Sequence, residues 1–158
     1  MRLGTHEIAP RAHARAHGRN YRSAFQNDLP RIRRRLCVAE MTASRADLRA
    51  KAKSLTRWVE QEEAGLRVVQ LLGADPIVMA DAAKAAADAG ADVVDINMGC
   101  PAKKVLSTAC GSALLRDEPL VARILEAVCG AVEIPVTLKI RTGWSEAEKN
   151  ALRIAAPR

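Results

Sequence analysis

The sequence predicts an α/β protein, a partial TIM (β/α)8 barrel of about four βα units. Three observations carry this. Short runs rich in β-branched residues alternate with stretches of helical character between residues 36 and 158. Polar or reactive side chains gather where the strand-like runs end: Gln70, then Asn97 with Cys100, then Lys139 with Arg141. Parallel strands place their chemistry at their carboxyl ends, so three successive strands supply one mouth. Finally, 158 residues suffice for one domain with a core, whereas a closed barrel takes about 250. Roughly half a barrel is therefore expected.

Taken in order, Met1 to Pro10 allows a short strand ending at Ile8-Ala9-Pro10. Arg11 to Arg35 shows no sustained period of 2 or 3.6 and little to bury. It holds eight arginines against one acid, Asp28, and so accounts for the whole formal charge of +7. Three readings stand: a basic arm that meets RNA phosphates, a disordered segment, or an out-of-frame peptide from a GC-rich gene. Leu36 to Met41 reads as a strand, and Ser44 caps a helix to about Trp58 whose charges are read mainly as a solvated face.

Leu66 to Leu72 is the next strand, interrupted by Gln70. Asp75 with Pro76 opens a helix to about Ala89, and Gly90 ends it. Asp92 to Ile96 is a buried strand that stops at Asn97, after which Gly99 and Pro101 bracket Cys100. Glycine lets the backbone pass close to a planar ligand, and proline stiffens the turn. An isolated cysteine is most often a small buried hydrophobe. Here Asn97, Lys103 and Lys104 surround it with polarity that a core strand would not tolerate unpaired.

Asp117 to Ala131 is an amphipathic helix with Leu120, Val121, Ile124, Leu125 and Val128 on one stripe. Cys129 beside that stripe and Cys110 before Gly111 are read as structural. Pro135 to Ile140 is a strand, and alternation sends Lys139 and Arg141 to one side of it. Ser145 and Glu148 make a capping box expected to open a further helix.

Nearly half the chain is apolar, so it is not disordered by composition. It contains no run of eighteen apolar residues and no apolar signal segment, which favours a cytoplasmic product. The four cysteines lack CxxC spacing, and His6, His13 and His17 all lie near the start. Neither a zinc site nor a disulfide framework is indicated.

The strings Asp-Ile-Asn-Met-Gly-Cys-Pro-Ala-Lys-Lys-Val (95–105) and Gly-Ser-Ala-Leu-Leu (111–115) closely resemble the signature of tRNA-dihydrouridine synthases, particularly the bacterial B-type branch. Pro-Val-Thr-Leu-Lys-Ile-Arg-Thr-Gly-Trp (135–144) matches the same family further along. The resemblance covers about Cys37 to Asn150. It implies a TIM barrel, FMN as cofactor, NADPH as reductant and tRNA as substrate. It also implies roles. Cys100 is the acid that protonates uracil C5, and a thiol is mostly protonated at neutral pH. Gln70 and Lys139 contact the flavin, Lys139 near its N1/O2 edge. Asn97 and Arg141 orient the uracil.

The chain departs from the family where Arg11 follows Pro10, in place of a methionine and a loop containing Gly-Thr-Asp. The family pattern resumes near Cys37, and these abrupt borders of the resemblance favour the out-of-frame reading of the stretch between them. The family's downstream histidine, glycine-rich phosphate loops and helical tRNA-binding domain are not in the sequence. Residues 1–35 are thus expected to be an atypical, poorly ordered segment, and 36–158 the N-terminal part of a flavin-binding barrel. As such the chain is expected to be incomplete, inactive and prone to self-association. The alternatives are a non-catalytic remnant and an FMN barrel of the dihydroorotate dehydrogenase type.

Overall fold

The computed structural model describes residues 2–7, 13–15, 36–38, 42–44 and 66–156. In chain order these hold β1 (Arg2–Leu3), β2 (His6–Glu7), β3 (His13–Arg15), β4 (Leu36–Val38), β5 (Thr42–Ala43) and β6 (Leu66–Leu72). Then follow α1 (Pro76–Asp88), β7 (Val93–Met98), α2 (Lys103–Leu106), a 3-10 helix (Gly111–Arg116), α3 (Glu118–Ala131), β8 (Val136–Ile140) and α4 (Ala151–Ala155).

One parallel sheet organises the chain, in the order β3-β4-β6-β7-β8, with β5 pairing the far end of β6. Its neighbours follow sequence order, as successive βα crossovers require. Alternation sorts each strand into two faces. Val69 and Leu71 of β6, Val94, Ile96 and Met98 of β7, and Val136, Leu138 and Ile140 of β8 face the helices. They pack there on Met79, Ala82, Ala83 and Ala86 of α1 and Val121, Ile124 and Val128 of α3. The alanine stripe of α1 lets that helix lie close to α3. Each large side chain fully buried in this layer contributes roughly 1.5–3 kcal/mol.

The opposite face is graded. At the amino ends of the strands Val68 and Val93 are fully buried, with Leu3 and Leu66 packed against them. The turn between β1 and β2 lies against the Pro135 ring, just before β8. This antiparallel pair therefore closes the amino end with apolar groups. At the carboxyl end the same face carries Gln70, Asp95, Asn97, Thr137 and Lys139.

Most element boundaries follow the sequence signals. Asp75 caps α1, its carboxylate accepting from Ile77 N at 2.9 Å and Val78 N at 3.0 Å. Asp117 does the same for α3, at 2.9 Å from Leu120 N. Three differences are found. First, β7 runs on to Met98, because Asn97 still pairs with Lys139 of β8.

Second, the capping box does not open a helix. Ser145 Oγ meets Glu148 Oε2 at 3.1 Å and Glu148 N returns to Ser145 O, closing a turn. Thr142 O accepts from both Asn150 N and Ala151 N, so α4 starts only at Ala151. Third, regular structure occurs where the sequence shows no period: His13–Arg15 pairs in parallel with Leu36–Val38. The expected strand end at Ile8-Ala9-Pro10 and the helix beyond Ser44 lie outside the described residues. Among the described residues, no helix is long and apolar enough to cross a membrane.

Candidate active site

Strand register builds the site in rows. Gln70 pairs with Asp95, and Asp95 with Thr137, giving one row across β6, β7 and β8. One step nearer the mouth, Asn97 pairs with Lys139. Gly99 and Arg141 follow immediately beyond the strand ends.

The lower row is a buried hydrogen-bonded chain. Thr137 Oγ1 donates to Asp95 Oδ1 at 2.7 Å, and Gln70 Nε2 donates to Asp95 Oδ2. Asn97 Nδ2 donates to Gln70 Oε1 at 2.9 Å. The other end of Asn97 leaves the strand: its Oδ1 accepts from Gly99 N at 3.1 Å and Cys100 N at 3.0 Å. Two backbone donors on one oxygen fix which way round that carboxamide sits. Gln70 and Asn97 are each only 1% exposed. Unsatisfied, such buried amides would cost about 1–3 kcal/mol apiece.

Cys100 is also held from its carbonyl side. Ser112 N and Ser112 Oγ both donate to Cys100 O, at 3.1 and 3.2 Å. Gly111 makes this approach possible, with φ +64° and a site where a Cβ would fall 2.6 Å from Cys100 O. The signature segment 111–115 thus forms a 3-10 turn that grips the cysteine loop. Cys100 itself is half-buried. Lys103 and Lys104 are exposed on α2.

Lys139 and Arg141 both reach the same point. A Cβ at Gly99 would lie 3.4 Å from Lys139 Nζ and 3.6 Å from Arg141 Cγ. The glycine therefore leaves room for the two cationic side chains beside the cysteine loop. Neither cation makes an ion pair among the described residues; the pairs there are Lys149–Glu146 and Arg153–Glu118. The loop after β8 is tied down separately. Asn150 Nδ2 donates to Leu115 O at 2.7 Å and Glu118 Oε1 at 2.8 Å, and Arg116 sits 5.4 Å from the Trp144 ring centroid.

The five residues singled out in sequence thus converge on one mouth, but by two routes. Lys139, Arg141 and Cys100 reach its surface. Gln70 and Asn97 are largely occupied with protein groups, and the amide of Asn97 keeps at most one Nδ2 hydrogen for a ligand. Asp95, Thr137 and Ser112 were missed. Period 2 puts Asp95 on the face of Asn97 and Thr137 on that of Lys139, and a carboxylate inside a β-branched strand was the available signal. Cys110 is buried and its Sγ meets Thr108 O at 3.2 Å. Cys129 is exposed on α3, where partial burial pushes its thiol pKa up.

The Dihydrouridine synthase (Dus) family model matches residues 12–157, wider than the Cys37–Asn150 window of the motifs. A tRNA-dihydrouridine synthase B of Proteus vulgaris is 55% identical over 120 residues, covering 76% of this chain and 37% of the relative. The Pseudomonas putida protein of that name is 51% identical over 131 residues, 83% of this chain and 39% of its own length. The Shewanella oneidensis protein is 48% identical over 132 residues, with 84% and 41% covered. The chain thus spans about two fifths of the length of these relatives. The signature around Cys100, the family match and these identities together assign the chain to the dihydrouridine synthase family, on its B-type branch.

Proposed function

We propose that this chain forms one wall of a tRNA-dihydrouridine synthase, an FMN-dependent oxidoreductase that reduces uridine in tRNA with NADPH as reductant. The observation that carries the reading is the meeting of Lys139 and Arg141 at Gly99, one residue from Cys100, at the carboxyl ends of parallel strands. The donor set suits FMN. An ammonium and a guanidinium stand at the mouth above a buried row of carboxamides, a carboxylate and a hydroxyl, and the two cations match the polar edge of a flat ring.

In this reading Gln70 and Lys139 bind the flavin, Asn97 and Arg141 serve the uracil, and Cys100 is the catalytic acid. When bound, FMN supplies the hydride that uracil accepts at C6. Cys100 gives its thiol proton to C5, so negative charge does not remain on the base; such a group contributes about 10²–10⁴-fold. The Arg141 guanidinium offers paired donors to a uracil carbonyl. The Lys139 ammonium offsets negative charge at the flavin's carbonyl edge. Asn97 holds the turn that presents the thiol.

The sheet corresponds to about four βα units of a TIM barrel over residues 36–158. Residues 1–35 are an atypical basic N-terminal segment whose excess of arginine lies within 11–35, and a tRNA substrate puts the reaction in the cytoplasm. Among the described residues, β3 and β8 each have one strand neighbour. Such edges favour self-association of the chain on its own.

The test is a chimera in which residues 36–158 replace the matching stretch of the Proteus vulgaris relative. It is expected to bind FMN and form dihydrouridine in unmodified tRNA, whereas the 158-residue chain with added FMN and NADPH gives no multiple turnover. An FMN-bound chimera inert toward tRNA would overturn the assignment. Multiple turnover by the chain alone would overturn the claim that one wall is not enough.

A further inference from the structure

The mechanism above leaves one buried ionisable side chain without a task. Asp95 is 5% exposed in the middle of β7. Its position is costly for a carboxylate unless hydrogen bonds compensate. They do, and their direction is informative. Thr137 Oγ1 donates to one oxygen and Gln70 Nε2 to the other.

The chain of bonds can be followed from either end. From the loop, Gly99 N and Cys100 N are donors, so Asn97 must turn Oδ1 to them and Nδ2 to Gln70. Gln70 must then offer Oε1 to Asn97 and Nε2 to whatever lies beyond. That neighbour has to be an acceptor, and an ionised carboxylate accepts at both oxygens and donates at none. With no acceptor oxygen there, nothing would hold the Gln70 Nε2 in that direction. Gln70 would then turn over and set its own N–H against that of Asn97.

We infer that Asp95 is a positioning residue: its carboxylate sets the direction of the Gln70 and Asn97 carboxamides, and through them holds the Gly99–Cys100 turn that presents the thiol. The inference rests on Cys100 as the working group of the proposed function. It adds Asp95, two positions before Asn97 on β7, as a residue acting through Gln70 and Asn97. Hydrogen-bond chains of this kind in a low-dielectric interior couple their members, so disturbance at one end is felt at the other.

The Gly99 and Cys100 amides report the state of Asn97 directly, because Asn97 Oδ1 is the acceptor each is bonded to. Hydrogen exchange of the full 158-residue chain is read at single amides by mass spectrometry with electron-transfer fragmentation. Asp95→Leu keeps bulk and removes the acceptor. It is expected to speed exchange at Gly99 and Cys100 at least tenfold, while Met79, Ala82, Ala83 and Ala86 of α1 stay at the wild-type rate. Asp95→Asn retains an oxygen for Gln70 and is expected to restore both amides to within threefold of wild type, which a packing role alone would not require.

Should Asp95→Leu open the whole fold, Gln70→Met cuts the chain at its middle link and is expected to free the same two amides. Wild-type exchange at Gly99 and Cys100 in the folded variant, or a rise only in step with α1, would overturn the inference. So would an Asp95→Asn variant no better than Asp95→Leu. This measurement needs neither FMN nor tRNA. An inert chimera would therefore sink the functional reading and leave the amide result standing.

Discussion

Gly111→Ala places a methyl group at the tightest point of the cysteine loop. The residue has φ +64°, a region that costs an L-residue roughly 1–2 kcal/mol. The added Cβ would fall 2.6 Å from Cys100 O and 2.7 Å from Val105 Cγ1, well inside the ~3.3 Å of even a favourable C–H···O contact. Relief requires the 3-10 turn to move away from Cys100. That movement breaks the two bonds from Ser112 to Cys100 O, at about 1 kcal/mol each.

The total is roughly 3–4 kcal/mol, which for a chain of this size lowers the melting temperature by roughly 6–16 °C. Far-UV circular dichroism melts of the purified chain measure it. Gly130→Ala is the control of opposite sign: it lies in α3 with open space around it, and a helical alanine there should stabilise by roughly 0.4–1 kcal/mol. A Gly111→Ala chain melting within 2 °C of wild type would refute the argument that this glycine is required by close approach to Cys100.

Two further outcomes are expected. Asn150→Asp turns a donor that serves Leu115 O and Glu118 Oε1 into a carboxylate facing two acceptors, at a cost of about 3 kcal/mol at neutral pH. Its folded-state pKa is then raised, so the deficit in urea midpoint shrinks as the pH falls towards 4; a deficit independent of pH would contradict this. Cys129 has its thiol pKa pushed up by burial, so it should take iodoacetamide more slowly in the native chain than in urea at pH 8. That gap should narrow as the pH rises toward 10, and equal rates at pH 8 would count against the burial argument.

What was legible in the sequence was whatever a local signal decides. The strand Leu66–Leu72 and the helices after Asp75 and Asp117 carry their own alternation, proline and caps, and they appear within a residue or so of expectation. The capping box at Ser145 misled because Thr142 O captured the Asn150 and Ala151 amides, a competition that local spacing does not reveal. In the site, alternation put Lys139 and Arg141 on one side of their strand, and in the structure both lie near Gly99. It could not show that Asn97 spends its oxygen on the cysteine loop, nor that Asp95 and Thr137 stand behind it. Those pairings join strands 25 to 42 residues apart, and only sheet register brings them into reach.

In the proposed function the mouth formed by β6, β7 and β8 reduces uracil with Cys100 as its acid. The direct measurement is dihydrouridine content of unmodified tRNA after reaction with the Proteus vulgaris chimera, compared with its Cys100→Ala variant at equal bound FMN. A fall of about 10²–10⁴-fold in rate is expected, with flavin content unchanged. A Cys100→Ala chimera that makes dihydrouridine at the wild-type rate would contradict it.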